Sequence, residues 1–272
     1  MMSPIGIFGS NGYIGRNVCR CLEDHSIPFR EFTGNALNVS DVRKFFAGDP
    51  TAQIIFLIGR FTEDYRESQE SNVTTLYSVL SAGVEYGLKK AIFASSGAVY
   101  GNTSNRTSLE SDPLRPVTRY GLAKKCAESV LGYFSNLNQI KSIILRFPNV
   151  YSEGSVRGVI YDFVKQARTK KMTIYGNGLQ KRDFLYVEDA AEAIIRCLDY
   201  NAGGVFNITS KGRYSINDIA GLIGKYTDIH IIHTHSGVIQ YNLILNPLKA
   251  EKTLDISFPD RLPGTLDKIF AV

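Results

Sequence analysis

The most constraining feature of this chain lies near its start. A short apolar strand signal, Pro4–Phe8, runs straight into Gly9-Ser10-Asn11-Gly12-Tyr13-Ile14-Gly15, and a helical pattern follows from Asn11 to Glu23. Glycines at fixed offsets between a strand and a helix permit a tight turn and close approach of the main chain to a pyrophosphate. The helix opens there with free N–H groups and the positive end of its dipole. The spacing Gly-x-x-Gly-x-x-Gly differs from the commoner Gly-x-Gly-x-x-Gly fingerprint, so the position between strand and helix carries the reading. A plain structural turn is the competing reading. Gly9, Asn11, Gly12, Tyr13, Ile14 and Gly15 are the expected cofactor loop.

The same unit then repeats. Strand signals at Pro28–Phe32, Ile54–Ile58, Ala91–Ala94 and Ser142–Phe147 alternate with helical patterns such as Glu63–Tyr86 and Thr118–Phe134. Ile54–Ile58 is a continuous apolar run of the kind buried on both faces of a parallel sheet. This alternation predicts a Rossmann-like α/β fold, a doubly wound parallel sheet with helices on both faces. After Asn149 the regularity breaks. Helical stretches near Val159–Arg168, Val187–Leu198 and Ile216–Tyr226 alternate with short strands near Thr173–Tyr175 and Val205–Ile208. The expectation is a smaller, interwoven C-terminal lobe. Residues 1–150 plus about 183–210 would hold the cofactor, and about 151–182 with 211–272 the substrate.

Composition limits the alternatives. With 272 residues, 44% hydrophobic and 21% charged, the chain suits a folded soluble protein and not a disordered one. Its apolar runs fall far short of the ~20 residues that cross a bilayer. No basic-then-apolar leader opens it, so a cytoplasmic location is expected. The net charge of +5 is spread over scattered Lys and Arg, which reads as a solvated surface and not as a nucleic-acid or membrane patch. Four cysteines without a Cys-x-x-Cys pair read as reduced thiols. His230, His233 and His235 have no Cys or carboxylate beside them in sequence, so no metal site is expected.

Acid–base chemistry is suggested by a Tyr and a Lys four apart on a helix. They share a face, and the ammonium eases ionisation of the phenol. Such a phenolate can take a proton from a hydroxyl as hydride leaves the same carbon. Three Tyr-x-x-x-Lys pairs occur: Tyr86/Lys90, Tyr120/Lys124 and Tyr161/Lys165. Only Tyr120/Lys124 has a companion, Ser96, just past a strand at the carboxyl edge of a sheet, where open α/β folds bind ligands. At the end of the second strand, an acid would hold an NAD ribose. Thr33 stands there, followed by Gly34-Asn35, so NADP is as open as NAD, with Arg16 or Arg30 to meet its extra phosphate.

Ser95-Ser96-Gly97-Ala98-Val99-Tyr100-Gly101, Tyr120-Gly121-Leu122-Ala123-Lys124 and Arg146-Phe147-Pro148-Asn149-Val150-Tyr151 resemble the extended short-chain dehydrogenase/reductases. The chain is most similar to their NAD-dependent epimerase/dehydratase branch, which acts on nucleotide sugars. Ile174-Tyr175-Gly176-Asn177-Gly178, Gln180-Lys181-Arg182-Asp183-Phe184 and Val187-Glu188-Asp189-Ala190 are similar to that branch's nucleotide-sugar segment.

The resemblance implies Ser96, Tyr120 and Lys124 as the catalytic triad, with Tyr120 and Lys124 also against the cofactor. It puts Gly9, Gly12 and Gly15 on the pyrophosphate, Asn38 and Val39 beside adenine, and Gly59 under the cofactor. Asn149 would touch the substrate, Arg182 would pair with the sugar-nucleotide diphosphate, and Tyr175 would lie along the base. Plainer readings compete: Asn149 as a loop cap, Arg182 as an ion pair with Asp183, and Tyr100 as packing. There are departures. Gly97-Ala98 stands where family dehydratases carry Asp-Glu, so 4,6-dehydration is not expected. Ser236-Gly237-Val238-Ile239-Gln240 lacks a second phosphate arginine, and the chain is shorter than most members.

The implied activity is an NAD(P)-dependent 4-ketoreductase or 4-epimerase acting at C4 of a nucleotide-linked hexose, with the missing acid tilting a reductase toward NADP. The alternatives are a reductase of another carbonyl and a non-catalytic dinucleotide sensor. The family's pairing through two long helices implies a homodimer across Glu63–Tyr86 and Thr118–Phe134.

Overall fold

The opening apolar run forms strand β1 (Ile5–Phe8), with all four residues buried. A computed structural model describes residues 4–48, 51–103, 106–235, 237 and 240–271 of the chain. Residues 1–3 and most of the Ser236–Gln240 segment read above lie outside the described residues. After β1 come α1 (Tyr13–Asp24), β2 (Phe29–Phe32), α2 (Val39–Gly48) and β3 (Gln53–Phe56). Next are α3 (Tyr65–Gln69), a π-helical turn (Glu70–Thr74), α4 (Thr75–Glu85), β4 (Lys90–Ser96) and a 3₁₀ turn (Gly97–Tyr100). The regular half ends with α5 (Arg119–Asn138) and β5 (Lys141–Phe147).

These strands and β9 (Gly204–Asn207) make one parallel sheet in the order β2-β1-β3-β4-β5-β9. Successive side chains point to opposite faces. Ile5, Ile7, Ile55, Ile92, Ile143 and Leu145 pack on one side with α1 and with α7 (Val187–Arg196). Phe8, Ile54, Phe56, Phe93 and Ile144 pack on the other beneath α2, α4 and α5. Phe8 is the hub of an aromatic cluster, with ring centroids of Phe32 at 4.8 Å and Phe45 at 5.1 Å. The strand order reverses on either side of β1, and the crevice at that switch point opens at the carboxyl ends of the strands.

The second half makes two small sheets. In one, β8 (Lys181–Tyr186) pairs in parallel with β6 (Asn149–Tyr151) and antiparallel with β10 (Arg213–Ser215). In the other, β7 (Lys171–Tyr175) pairs with β11 (His230–Thr234). The helices α6 (Val159–Ala167), α8 (Ile216–Ile223) and α10 (Leu262–Phe270) enclose a separate apolar cluster around Phe163, Phe184, Ile219 and Leu262. A further helix, α9 (Leu248–Leu254), lies against β9.

Two expectations need correcting. The helix expected over Glu63–Tyr86 runs continuously from Tyr65 to Glu85 but contains a π turn at Glu70–Thr74. The helix expected over Thr118–Phe134 runs on to Asn138. Thr118 is its N-cap, its hydroxyl accepting the Gly121 N–H at 3.0 Å, and the helix ends where Gln139 turns to φ +55°. No helix among the described residues is long and apolar enough to cross a membrane.

Candidate active site

A cleft of about 890 Å³ opens over the carboxyl ends of β1, β3, β4 and β5 and is closed from the other side by β8. Gly12 is the N-cap of α1 and offers no side chain to the helix end, so the first N–H groups face the cleft. Gly15 cannot carry a side chain. A Cβ there would fall 2.1 Å from the Gly9 carbonyl oxygen and 2.6 Å from that of Ser10. Gly9 itself turns at φ +96°. The buried Ser10 hydroxyl has no partner. This is the cradle that a pyrophosphate requires, a bare main-chain turn with unused donors.

The side chains expected to do acid–base chemistry sit across the cleft. Tyr120 and Lys124 lie one turn apart on α5, and Ser96 ends β4. The Ser96 hydroxyl lies near enough to the Tyr120 phenol to lower its pKa. Ser96 Oγ accepts the Ala98 N–H at 3.2 Å. Lys124 is 2% exposed. Its Nζ donates to the Ala94 carbonyl at 3.0 Å and lies 4.8 Å from the Phe93 ring centroid and 5.9 Å from that of Tyr120. Burial pushes the Lys124 pKa down to about 7, opposed by the Glu128 carboxylate. Burial also raises the Tyr120 phenol, while the Arg157 charge and the Ser96 hydroxyl pull it back. Lys124 is thereby brought close to neutrality, whereas burial holds the Tyr120 phenol in its protonated form.

Gly59 follows β3 beneath these side chains. A Cβ there would meet Lys124 Nζ and Asn72 Oδ1, each at 2.7 Å. Asn72 is fully buried on the π turn. Its Nδ2 donates to the Arg60 carbonyl at 3.0 Å and the Ser68 carbonyl at 2.9 Å, whereas its Oδ1 has no partner. A buried, unpaired acceptor facing a glycine floor is a place for a donor group of a ligand. The sequence analysis missed Asn72. The structure buries it with two other small polar residues, Ser68 and Thr75, but their spacing alone does not reveal the π turn that carries Asn72.

On the far wall, Arg182 stacks on Tyr241, 4.2 Å from its ring centroid. Among the described residues it makes no ion pair, and its one hydrogen bond goes to the Lys181 carbonyl at 3.3 Å. The alternative pairing with Asp183 is excluded. Asp183 accepts from Arg213 Nε at 2.8 Å and from the Leu245 N–H at 2.7 Å. Asn149 lines the cleft and donates Nδ2 to the Asp183 carbonyl at 3.2 Å.

The cleft thus brings together Gly12, Tyr13, Ile14, Gly15, Gly59, Ser96, Tyr120, Lys124, Asn149 and Arg182. Other expected residues stand apart. Tyr175 is 60% exposed at the end of β7, which pairs with β11 in a separate two-stranded sheet, and does not line the cleft. Thr33 is exposed beyond β2. Asn38 turns its Oδ1 to the Ser40 N–H at 3.0 Å, and Val39 opens α2, so neither lines the cleft. Arg30 lies over the Phe45 ring at 4.6 Å, whereas Arg16 does face the cleft. Tyr86 caps α4 and Lys90 opens β4 at the opposite end of the strands, so that pair is not on one helix. Tyr100 is buried and serves packing, bonded to Arg146 and Asn207.

Residues 5–209 match the NAD dependent epimerase/dehydratase family. The UDP-glucose 4-epimerase of Lactobacillus helveticus is 28% identical over 84% of this chain and 83% of its own. Two further curated relatives align over about half their length, 52% and 54%. The UDP-glucose 4-epimerase of Thermotoga maritima, solved with UDP-glucose, superposes with a TM-score of 0.89 at 22% identity, covering 98% of this chain and 97% of that one. The UDP-glucuronic acid 4-epimerase of Bacillus cereus, solved with UDP-glucuronic acid and NAD, gives 0.88 at 22% identity, covering 98% of each chain. These two likenesses show the fold.

Proposed function

The chain belongs to the NAD dependent epimerase/dehydratase family, and from that premise we propose that it inverts C4 of a nucleotide-linked hexose. It is an NAD-dependent enzyme of the extended short-chain dehydrogenase/reductase type. The observation that carries the specific reading is the grouping of Ser96, Tyr120 and Lys124 in one cleft with the glycine turn on one side and Arg182 on the other.

NAD, when bound, supplies the hydride acceptor and donor. The protein does the rest. The N-terminus of α1 and the Gly12–Gly15 turn hold the pyrophosphate, and Gly59 leaves room beside Lys124 and the Asn72 acceptor. Tyr120 removes the proton from the C4 hydroxyl, Ser96 holds the same oxygen, and the nearby Lys124 ammonium favours the phenolate. Tyr120 returns the proton after the 4-keto sugar has turned its other face. Arg182 keeps its charge for the diphosphate, since the Tyr241 ring supports it without neutralising it. Gly97 and Ala98 speak against dehydration, because neither carries a group that can move a proton.

A second reading, a 4-ketoreductase that exchanges its cofactor, is favoured by Thr33 in place of a ribose-holding acid. The family match speaks for NAD, and the lean toward NADP drawn from Thr33 gains no support. We take residues 1–150 with about 183–210 as the cofactor part and about 151–182 with 211–272 as the substrate part. We also infer a cytoplasmic homodimer joined through α4 and α5, where Tyr77, Tyr133 and Leu137 are exposed on adjoining helices.

The test is direct. Purified protein with NAD and a panel of nucleotide hexoses, UDP-glucose first, is expected to give the C4 epimer by chromatography. Tyr120→Phe is expected to lose turnover by about 10²- to 10⁴-fold while still binding cofactor. Consumption of NADH by a 4-keto nucleotide sugar, without epimerisation, would establish the reductase instead. Unchanged turnover in Tyr120→Phe would remove the proposed acid–base role.

A further inference from the structure

Behind the catalytic group lies a buried ion pair that the mechanism above does not use. Glu128 and Arg146 have side chains 7% and 4% exposed. Arg146 donates Nε to Glu128 Oε1 at 3.0 Å and Nη2 to Oε2 at 2.7 Å. Ser95 Oγ donates to Glu128 Oε1 at 2.5 Å. On its other side, Arg146 Nη1 donates to Tyr100 Oη at 2.6 Å, and Tyr100 donates to Asn207 Oδ1 at 2.8 Å. Burying such a pair is costly and often adds no net stability, so its placement needs a reason.

The placement is specific. Glu128 lies four residues after Lys124 on α5, on the same face and one turn on. Ser95, its hydroxyl donor, is the neighbour of Ser96. Arg146 lies near the carboxyl end of β5, three residues before Asn149. One carboxylate therefore ties α5, which carries Tyr120 and Lys124, to β4, which ends in Ser96, and to β5. We propose that the Glu128–Arg146 pair is a positioning device for Lys124, with Glu128 as the counter-charge that keeps the buried amine an ammonium and Arg146 as the restraint on that counter-charge. The proposal rests on the reading of Tyr120 and Lys124 as the acid–base pair.

The surroundings of Lys124 leave Glu128 this role. From β4 it meets the Ala94 carbonyl and the Phe93 ring. Gly59 and Asn72, next to it, do not ionise. From its own helix it meets Tyr120 and Glu128, and Arg146 faces Glu128 from β5. Arg157 acts on Tyr120 from the far wall, while Tyr100 and the Glu110 carbonyl stand behind Arg146. Glu128 is the carboxylate that opposes the loss of the Lys124 proton.

The pair makes a prediction that a purely structural role does not. Glu128→Gln leaves the Arg146 cation uncompensated near Lys124, so the amine sheds its proton and the Tyr120 phenolate becomes less populated. Arg146→Met frees the Glu128 charge, so the phenolate becomes more populated. The readout is the ultraviolet phenolate difference between each variant and the same variant carrying Tyr120→Phe, titrated with NAD bound from about pH 6 to about pH 12. No sugar substrate is needed.

The expected result is displacement of the Tyr120 titration by roughly one unit upward in Glu128→Gln and downward in Arg146→Met, with the double variant between them. Displacement of both single variants in the same direction, or of neither, overturns the proposal. If a single variant fails to fold, Glu128→Asp draws the carboxylate back without unpairing a charge. A smaller upward displacement is then expected, and an unmoved titration overturns the proposal. If Tyr120→Phe removes no titrating phenol from the wild-type protein, the acid–base reading itself fails and the positioning role falls with it. If the phenol titrates as proposed but no sugar is turned over, only the substrate assignment is lost.

Discussion

The two walls of the cleft are made differently. The wall at the strand ends of the six-stranded sheet presents main chain and buried groups: the Gly12–Gly15 turn, Gly59, Ser96 and a Lys124 that is 2% exposed. The opposite wall presents side chains on short strands and turns. Arg182 leans on Tyr241, and Val156 and Arg157 stand exposed on the segment before α6. The first wall rests on the parallel sheet and its two apolar layers, so small shifts there cost packing. The second rests on a three-stranded and a two-stranded sheet. A rigid wall suits a reaction that tolerates little misplacement, and an adjustable wall suits recognition of the variable part of a substrate.

The largest effect that would sharpen this contrast is expected at Lys124. Lys124→Met should lower turnover by about 100-fold or more, because the phenolate loses its supporting charge. The same change should stabilise the cofactor-free protein at neutral pH. The folded pKa is depressed to about 7 from 10.5, so between those values the unfolded chain binds a proton that the folded one does not. Stability from this group therefore rises with pH across that window. Denaturant titrations at several pH values should show the slope in the wild type and its loss in Lys124→Met, with a gain on the order of 3 kcal/mol near pH 7. A wild-type stability flat in pH would show that Lys124 is not desolvated and that the first wall is less dry than described.

Next in size is a pair of glycine substitutions, one on each side of the molecule. Gly15→Ala forces a Cβ to within 2.1 Å of the Gly9 carbonyl oxygen and should weaken cofactor affinity by about 100-fold, read by fluorescence titration. Gly178→Ala meets Asn217 Oδ1 at 1.9 Å, a side-chain end that can turn aside, but it sits at a φ of +70° that strains any side chain. It lies in the turn between β7 and β8, away from the glycine loop, and should leave cofactor affinity unchanged while lowering the melting temperature. Equal losses of cofactor affinity would mean that the walls are one mechanical unit.

Arg182→Ala tests the second wall alone. Its guanidinium is half-buried, and the residue makes no ion pair among the described residues. Its loss should therefore raise the KM for a nucleotide sugar by about 10- to 100-fold, with the cofactor constant unmoved. A free nucleoside lacking phosphates should not sense the change.

What could be read from the sequence follows the same division. The glycine turn, the parallel strands and the Ser96, Tyr120 and Lys124 grouping were legible because strand–helix alternation and position at strand ends are local signals. Asn72 was not, because a helix-period pattern runs through Glu63–Tyr86 and gives no sign of the π turn that carries this side chain. Tyr241 was not, because its contact with Arg182 depends on a distant segment returning to β8 through the Arg182–Leu243 bridge. Tyr175 was placed along the substrate by resemblance, yet β7 ends outside the cleft lining. On the second wall, contacts are set by long-range pairings of short strands, which periodicity does not encode.

The smallest effect tests a side chain that spans the division. Tyr13 opens α1 beside the glycine turn, and its hydroxyl reaches Ser152 Oγ at 2.8 Å and Ser155 Oγ at 2.9 Å on the segment after β6. Burial raises the phenol's pKa, so it stays a neutral donor across the working range. The two serines are themselves ordered by this segment, Ser155 Oγ accepting the Ser152 N–H at 2.9 Å and Ser152 Oγ the Gly154 N–H at 3.2 Å. Tyr13→Phe removes the bridge but keeps the ring. A neutral hydrogen bond of this kind contributes about 1 kcal/mol, so cofactor release should quicken by about fivefold. The catalytic pH profile should not move, because neither Tyr120 nor Lys124 touches Tyr13. Stopped-flow displacement of NADH would measure the release rate. An unchanged rate would mean that the two walls open independently of this contact, whereas a shifted pH profile would mean that the bridge reaches the acid–base pair through the cofactor's position.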